Sequence, residues 1–189
     1  MNRVRSLILP FTLIVLAIGT SHSQGVAKGS SQTFYIDLDT QQGHASVWRY
    51  NTIGSITTLH AVVTIRSVRK DDNWEPVFRI TLLGPDSTSG NSVNVTFYAA
   101  NGNPPLAILV GQFDREGKRI EVETLKQTLD LNASINIDMN WSTPGVVQCK
   151  IGDAGSYSVN IPWKIAQIQA TSSTGEMVID PLVLGSATN

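Results

Sequence analysis

The chain has 189 residues, a formal net charge of −1 at pH 7 and only 15% charged residues. A balance so close to neutral gives no electrostatic reason to expect nucleic acid or an acidic membrane surface as a partner. Its single cysteine, Cys149, excludes an internal disulfide, so the fold must be stabilised by packing.

The first residues have the three parts of a secretory signal peptide. They are a basic start at Arg3 and Arg5, an apolar run over residues 7–18, and the small-x-small sequence SHS directly before Gln24. The apolar run is shorter than the roughly 20 residues that a membrane-spanning helix needs. We therefore expect cleavage before Gln24.

The rest of the chain is predicted to be one domain. Residues 1–23 are the expected signal peptide, residues 24–31 a flexible lead-in, and residues 32–189 a single domain long enough to bury a core. Loss of the signal changes the formal net charge to −3, and no second apolar run is long enough to cross a bilayer. We expect a secreted or periplasmic protein that does not contact a membrane after cleavage.

Apolar and polar residues alternate along most of the expected domain, and no stretch keeps apolar residues at helical spacing. The alternation is seen in TLHAVVTIRSV (58–68), VFRITL (77–82), NSVNVTFY (91–98) and KRIEVETL (118–125). In the last of these, Ile120 and Val122 are predicted to face inward. Segments rich in Gly, Pro, Asn and Ser separate the runs. About ten to twelve antiparallel strands without a helix predict an all-β fold, either a two-sheet β-sandwich or a barrel.

The segment INIDMNWSTPGVVQCKIG, residues 135–152, is typical of a β-hairpin. Ile137 and Met139 share the inward face before the STPG turn, and Val147 and Cys149 share it afterwards. A catalytic thiol needs a histidine partner and an accessible, electropositive setting. We therefore predict that Cys149 is a small buried residue of the core.

This hairpin and the segment SSTGEMVIDPLVLG follow one another near the end of the chain. A strand that ends near an aromatic residue leads through a glycine turn into a strand ending in Ile-Gly, and the closing strand contains Asp180, then apolar residues, then Gly185. This order, over residues 133–185, resembles the C-terminal half of a concanavalin A-like, laminin G-type jelly roll. The resemblance implies an antiparallel two-sheet sandwich, a fold that hosts lectins, adhesion modules and glycan-cleaving enzymes alike.

Glycan-cleaving members of this superfamily commonly carry paired acids on one strand, as Glu-x-Asp-x-x-Glu. One carboxyl group protonates the leaving oxygen while the other attacks or activates water. Glu121 and Glu123 in EVETL, and Asp37 and Asp39 in IDLD, have alternate spacing but lack a third acid. Solvated strand faces are predicted for both pairs. We expect no catalytic residues, and a glycan-cleaving enzyme that uses Glu121 and Glu123 is the alternative.

The segment KDDN, with Asp71 and Asp72, and the later residue Asp114 offer the oxygen ligands that calcium prefers. A short acidic turn is more often solvated than metal-bound. We therefore expect no cofactor, and calcium at the turn of Asp71 and Asp72 is the alternative.

Four residues are candidates for ligand binding: Trp48, Trp74, Arg79 and Tyr98. Aromatic faces stack on the C–H face of a sugar ring while a guanidinium group donates hydrogen bonds to its hydroxyls. The sequence therefore predicts an exported, non-catalytic binding module whose partner is a glycan. The alternatives are the glycan-cleaving enzyme and a surface or periplasmic domain that binds a protein partner.

We predict that the exported protein begins at Gln24, because the peptidase recognises the small residues before it. Intact-mass measurement of protein recovered from the periplasm or medium tests this. Recovery of a chain that still begins at Met1 would contradict it.

Overall fold

The computed structural model describes residues 31–52, 56–85, 91–114 and 118–186. Apart from one short 3-10 turn at Ala100–Gly102, every regular element in these residues is a β-strand. The strands are β1 (Gln32–Asp39), β2 (Ala45–Asn51), β3 (Thr58–Val68), β4 (Val77–Leu83), β5 (Ser92–Tyr98), β6 (Leu106–Phe113), β7 (Arg119–Leu129), β8 (Ser134–Asn140), β9 (Val146–Ile151), β10 (Ser156–Asn160), β11 (Gln167–Ser173) and β12 (Gly175–Gly185). The predicted all-β fold is confirmed. None of the described segments is a helix long and apolar enough to cross a membrane.

The strands form two antiparallel sheets of six strands each. Sheet A has the order β1-β12-β3-β8-β9-β10, and sheet B has the order β2-β11-β4-β5-β6-β7. Strands distant in sequence are neighbours in both sheets, since β12 lies between β1 and β3, and β11 lies between β2 and β4. The architecture is the two-sheet β-sandwich predicted from the sequence.

The core lies between the two sheets and is filled by alternate residues of each strand. Leu59, Ala61, Val63 and Ile65 of β3 and the inward residues of β4 are each at most 2% exposed. Full burial of one such aliphatic or aromatic side chain stabilises the fold by about 1.5–3 kcal/mol. Both segments face the core as the sequence predicts.

An aromatic cluster closes one edge of the sandwich. Phe34 of β1, in sheet A, meets Trp48 and Tyr50 of β2, in sheet B, edge-on with ring centroids 5.5 Å apart in each case. Trp48 and Tyr50 stack at 6.2 Å, and the Tyr50 hydroxyl donates a hydrogen bond to Gln32 at 3.0 Å. The cluster joins the first strands of the two sheets.

Gly175 marks a close approach between the two sheets. A Cβ atom at this position would lie 2.4 Å from the carbonyl oxygen of Ser67, in sheet A, and 2.7 Å from Cζ of Phe78, in sheet B. Phe78 is fully buried, so its ring cannot move aside into solvent. Only glycine fits here.

The inward assignment of Ile120 and Val122, made from the sequence, is wrong. The register between β6 and β7 shifts at Ile120, and this bulge leaves the Ile120 side chain 55% exposed. Val122 pairs with Gly111 on the outer face of sheet B, so Glu121 and Glu123 point to the inner side, at the open edge of the sandwich. Alternation defines two faces of a strand, but a bulge decides which face becomes the inner one.

The predicted inward position of Cys149 is confirmed. The residue is 1% exposed and lies in register between Met139 and Tyr157. Burial raises the pKa of its thiol to about 12, so the reactive thiolate is scarce at neutral pH.

We predict that Cys149 does not react with a thiol reagent at neutral pH until the protein unfolds. The thiol is both shielded and protonated, so labelling measured by mass spectrometry should follow the denaturant unfolding curve. The double variant Cys149→Ala/Gln148→Cys, which moves the thiol to an exposed position of the same strand, should label at once. Fast labelling of the native wild type would contradict the prediction.

We predict that Gly175→Ala lowers the free energy of unfolding by about 1–3 kcal/mol, because the added methyl group overpacks the space between the sheets. Gly185→Ala is a matched control on the same strand. Its methyl group would lie 3.2 Å from the Thr58 hydroxyl and 3.9 Å from Cβ of Ser31, both side-chain atoms, and should cost about 0.5 kcal/mol or less. Urea denaturation followed by tryptophan fluorescence measures both, and equal losses would rule out the clash.

Candidate functional site

The outer face of sheet B aligns residues from several strands. Arg79 of β4 lies opposite Thr171 of β11 and Thr96 of β5, and Thr96 lies opposite Leu109 of β6. Directly opposite residues point to the same side of a sheet. A row of side chains therefore crosses the outer face, with Arg79 near its middle.

This face contains a cleft of about 300 Å³, which we call the sheet B cleft. Its apolar lining comes from four side chains, those of Val77, Leu109, Phe113 and Val122. Its polar lining comes from Glu75, Arg79, Thr96, Tyr98 and Arg119. An apolar wall with a few polar groups is the usual composition of a small-molecule site.

Gly111 shapes one wall of the sheet B cleft. A Cβ atom at this position would lie 2.6 Å from Cγ2 of Val122 and 3.2 Å from Cε2 of Phe113. Because glycine has no side chain, Val122 and Phe113 can close over the backbone of β6. The bulge at Ile120 is what places Val122 on this face.

The Arg79 guanidinium is the main positive group of the sheet B cleft. It makes no hydrogen bond or ion pair with any described residue, and desolvation lowers its pKa. An arginine nevertheless stays charged at neutral pH, since its ordinary pKa exceeds 12. The Arg79 side chain is exposed, so the cleft contains an accessible cation whose donors have no partner among the described residues.

Among the described residues of the lining, Tyr98 and Glu75 form the one hydrogen bond between side chains. The Tyr98 hydroxyl donates to Oε1 of Glu75 at 2.9 Å. This hydrogen bond, together with desolvation and the negative charge of Glu75, raises the pKa of Tyr98. The carboxylate of Glu75 is thereby held beside the phenol.

Asn94 is a polar residue that the sequence places on the outer face and that the structure buries. It lies between Thr81 and Gly111 in the sheet and is 6% exposed, and its Oδ1 atom has no hydrogen-bond partner among the described residues. A buried unpaired acceptor costs about 1–3 kcal/mol. Reasoning from the sequence missed it, because alternation assigns a face but does not measure depth.

The structure brings two of the four predicted ligand-binding residues together. Arg79 and Tyr98 both line the sheet B cleft. Trp74 is 47% exposed and directly precedes Glu75 in the chain. Trp48 lies on the inner face of β2, within the aromatic cluster at the sandwich edge, and is outside the cleft.

The predicted acidic pairs lie elsewhere. Glu121 and Glu123 are exposed and line a separate cleft of about 330 Å³ between β7 and β10. Asp37 lies 3.9 Å from the Arg66 guanidinium, and Asp39 pairs with Arg69 at 2.7 Å. In the described residues, Glu75 is the one carboxylate that lines the sheet B cleft.

The outer face of sheet A contains a larger groove, of about 740 Å³. Nδ1 of His60 and Oδ1 of Asp138 lie 2.7 Å apart there, and Lys150 lies opposite Asp138 in the sheet. Asp138 thus lies beside both His60 and Lys150, whereas Arg79 has no ion pair with a described residue.

The expected alternative of calcium at Asp71 and Asp72 stays a prediction. Oδ1 of Asp71 accepts a hydrogen bond from the backbone N–H of Asn73 at 2.8 Å, and Oδ1 of Asp114 accepts one from Lys118 at 2.8 Å. Within the described ranges, no three His, Cys, Asp or Glu residues gather as a metal site would require.

Comparison with known proteins gives the fold alone. No protein-family model and no curated protein matches the chain. Its structure is similar to a β-glucanase from Bacillus licheniformis (TM-score 0.53, 10% identity, 82% of this chain and 78% of the other). It is also similar to an apo transglycosylase (0.56, 12%, 89% and 82%) and a carbohydrate-binding module from Bacillus subtilis (0.52, 14%, 82% and 95%). The chain has the concanavalin A-like jelly-roll fold that the resemblance over residues 133–185 implies.

Proposed function

We propose that this protein is an exported, non-catalytic module that binds a glycan in the sheet B cleft. The β-glucanase, the transglycosylase and the carbohydrate-binding module share its fold at low identity, which supports a role connected with glycans. Fold likeness does not distinguish binding from cleavage, so this distinction must come from the residues of the cleft.

The free Arg79 guanidinium beside an apolar wall is the observation that carries the proposal. Leu109 and Phe113 offer apolar surface to the C–H face of a sugar ring, and Arg79 offers up to five N–H donors to its oxygens. Glu75, held by Tyr98, supplies an acceptor for a hydroxyl group. This combination recognises a sugar without performing a reaction.

The distribution of carboxylates supports binding over hydrolysis. Hydrolysis of a glycosidic bond uses two carboxyl groups on either side of the bond. Within the described residues, the sheet B cleft has Glu75 as its one carboxylate, and the pair Glu121 and Glu123 points to the opposite side of β7.

One observation favours glycan cleavage as a second candidate. Glu121 and Glu123 line their own cleft, and alternate residues of a strand lie about 6–7 Å apart. That spacing falls in the range of catalytic carboxyl pairs. This candidate requires a substrate to bind at the edge between β7 and β10.

We predict that the exported protein binds a defined class of glycan on a broad array and that Arg79→Ala weakens binding about tenfold or more. Hydrogen bonds from a charged donor contribute about 1.5–3 kcal/mol, and 1.4 kcal/mol is a factor of ten in affinity. Lys150→Ala, which removes a cation from the groove on sheet A, is the matched control and should bind as the wild type does. Titration calorimetry with the strongest array ligand measures both.

Other outcomes separate the rival functions. Release of reducing ends from a polysaccharide, lost in Glu121→Gln and Glu123→Gln, would replace binding by cleavage at the β7–β10 edge. Self-assembly or capture of a protein without glycan affinity would favour a protein-interaction domain.

Binding experiments run with calcium and again with a chelator test the turn of Asp71 and Asp72, since loss of glycan binding with the chelator would assign a metal to this turn.

A further inference from the structure

The arginines of the described residues divide into two groups. Arg49 donates to Gln169 at 3.3 Å, Arg66 pairs with Glu176 at 2.9 Å, and Arg69 pairs with Asp39 at 2.7 Å. The other two arginines are Arg79 and Arg119. Their guanidinium groups have neither a hydrogen bond nor an ion pair with a described residue. Both of these line the sheet B cleft.

The charged residues that line the sheet B cleft therefore include more positive than negative groups. Arg79 and Arg119 bring two positive charges, and Glu75 brings one negative charge that is already hydrogen-bonded by Tyr98. None of the three forms an ion pair within the described chain, although the sandwich pairs other arginines on its surface. The lining is left with a net positive charge and two free guanidinium groups.

The Arg79 side chain is exposed in the free protein, and a sugar ring that covers it and its apolar neighbours would strengthen a charged contact there. Val77 and Leu109 line the same cleft, and desolvation already lowers the pKa of Arg79. An oxyanion is attracted more strongly where water is partly excluded. A guanidinium also matches the two oxygens of a carboxylate or sulfate with parallel hydrogen bonds, which are about twice as strong as neutral ones.

The size of the cleft suits one sugar ring with its charged group. Its volume of about 300 Å³ lies at the lower end of small-molecule sites. A neutral ring would leave both guanidinium groups with hydroxyl partners only. A ring that carries an oxyanion would neutralise the positive lining.

We infer that the sheet B cleft selects an acidic glycan, one that carries a carboxylate or a sulfate, and that Arg79 receives the oxyanion. This inference rests on the proposed glycan-binding function. Leu109 and Phe113 contact the ring, and Arg119 adds long-range attraction at the side of the cleft formed by β7.

The test compares each acidic glycan with its neutral counterpart. Polygalacturonate is measured beside its methyl ester, and dextran sulfate beside dextran, by calorimetry with the exported protein. We expect at least a tenfold preference for the acidic member of one pair, and we expect this preference to decrease as salt is raised. The pair that shows the preference identifies the oxyanion as carboxylate or sulfate.

Single-residue variants test whether Arg79 causes the preference for the acidic glycan. Arg79→Gln should remove it while affinity for the neutral partner falls less, and Arg79→Lys should keep part of it, since a lysine retains the charge but not the planar fork. Lys150→Gln, on sheet A, should leave it unchanged. Thermal unfolding of each variant confirms that the fold is retained, and Arg79→Lys serves if Arg79→Gln unfolds.

The failure of this inference is distinct from the failure of the proposed function. Equal affinity for acidic and neutral partners, with binding still dependent on Arg79, overturns the inference and leaves the glycan-binding module in place. A preference that survives Arg79→Gln but disappears in Lys150→Gln overturns the assignment to the sheet B cleft. Absence of binding to any glycan of the array overturns both.

Discussion

Burial of two apolar sheet faces against each other is the constraint on which the rest of this structure depends. With one cysteine and no disulfide, the sandwich is stabilised by the inner residues of twelve strands. Phe78 fills the space above Gly175 so closely that a single methyl group cannot be added. The edge is closed in the same way, by Phe34 against Trp48 and Tyr50. Because the inner faces are committed to packing, recognition is left to the outer faces and edges.

The outer face of sheet B carries local features that packing alone does not require. Within the part of the chain that the structure describes, the guanidinium groups of Arg79 and Arg119 lack acceptors, and Oδ1 of Asn94 is buried without a donor. The buried, unpaired acceptor of Asn94 is energetically unfavourable, whereas the two guanidinium groups are exposed to solvent and open to a ligand. A ligand that supplies an oxyanion and hydroxyl groups would give both guanidinium groups acceptors.

The same fold is found in a β-glucanase, a transglycosylase and a carbohydrate-binding module. Its scaffold therefore does not determine chemistry, and the carboxylates do. In this chain Glu75 is held by Tyr98 in the sheet B cleft, while Glu121 and Glu123 lie across the strand at the sandwich edge. The positive cleft and the acidic pair are therefore separate places on the sandwich, so the proposed binding and the alternative of cleavage can be tested independently.

The sequence by itself determined the all-β class, the inward faces of β3 and β4, and the burial of Cys149, because alternation and turn residues act locally. It also named Arg79 and Tyr98. Only the tertiary structure decided that these two residues line the same cleft and that Trp48 faces the core. The reason is physical: the register of β4 on β5 sets Arg79 and Tyr98 on one face, the packing of Phe34 on Trp48 joins two different sheets, and the bulge at Ile120 reversed the expected faces of β7. Pairing partners and bulges depend on contacts between distant segments, which a local period of two does not encode.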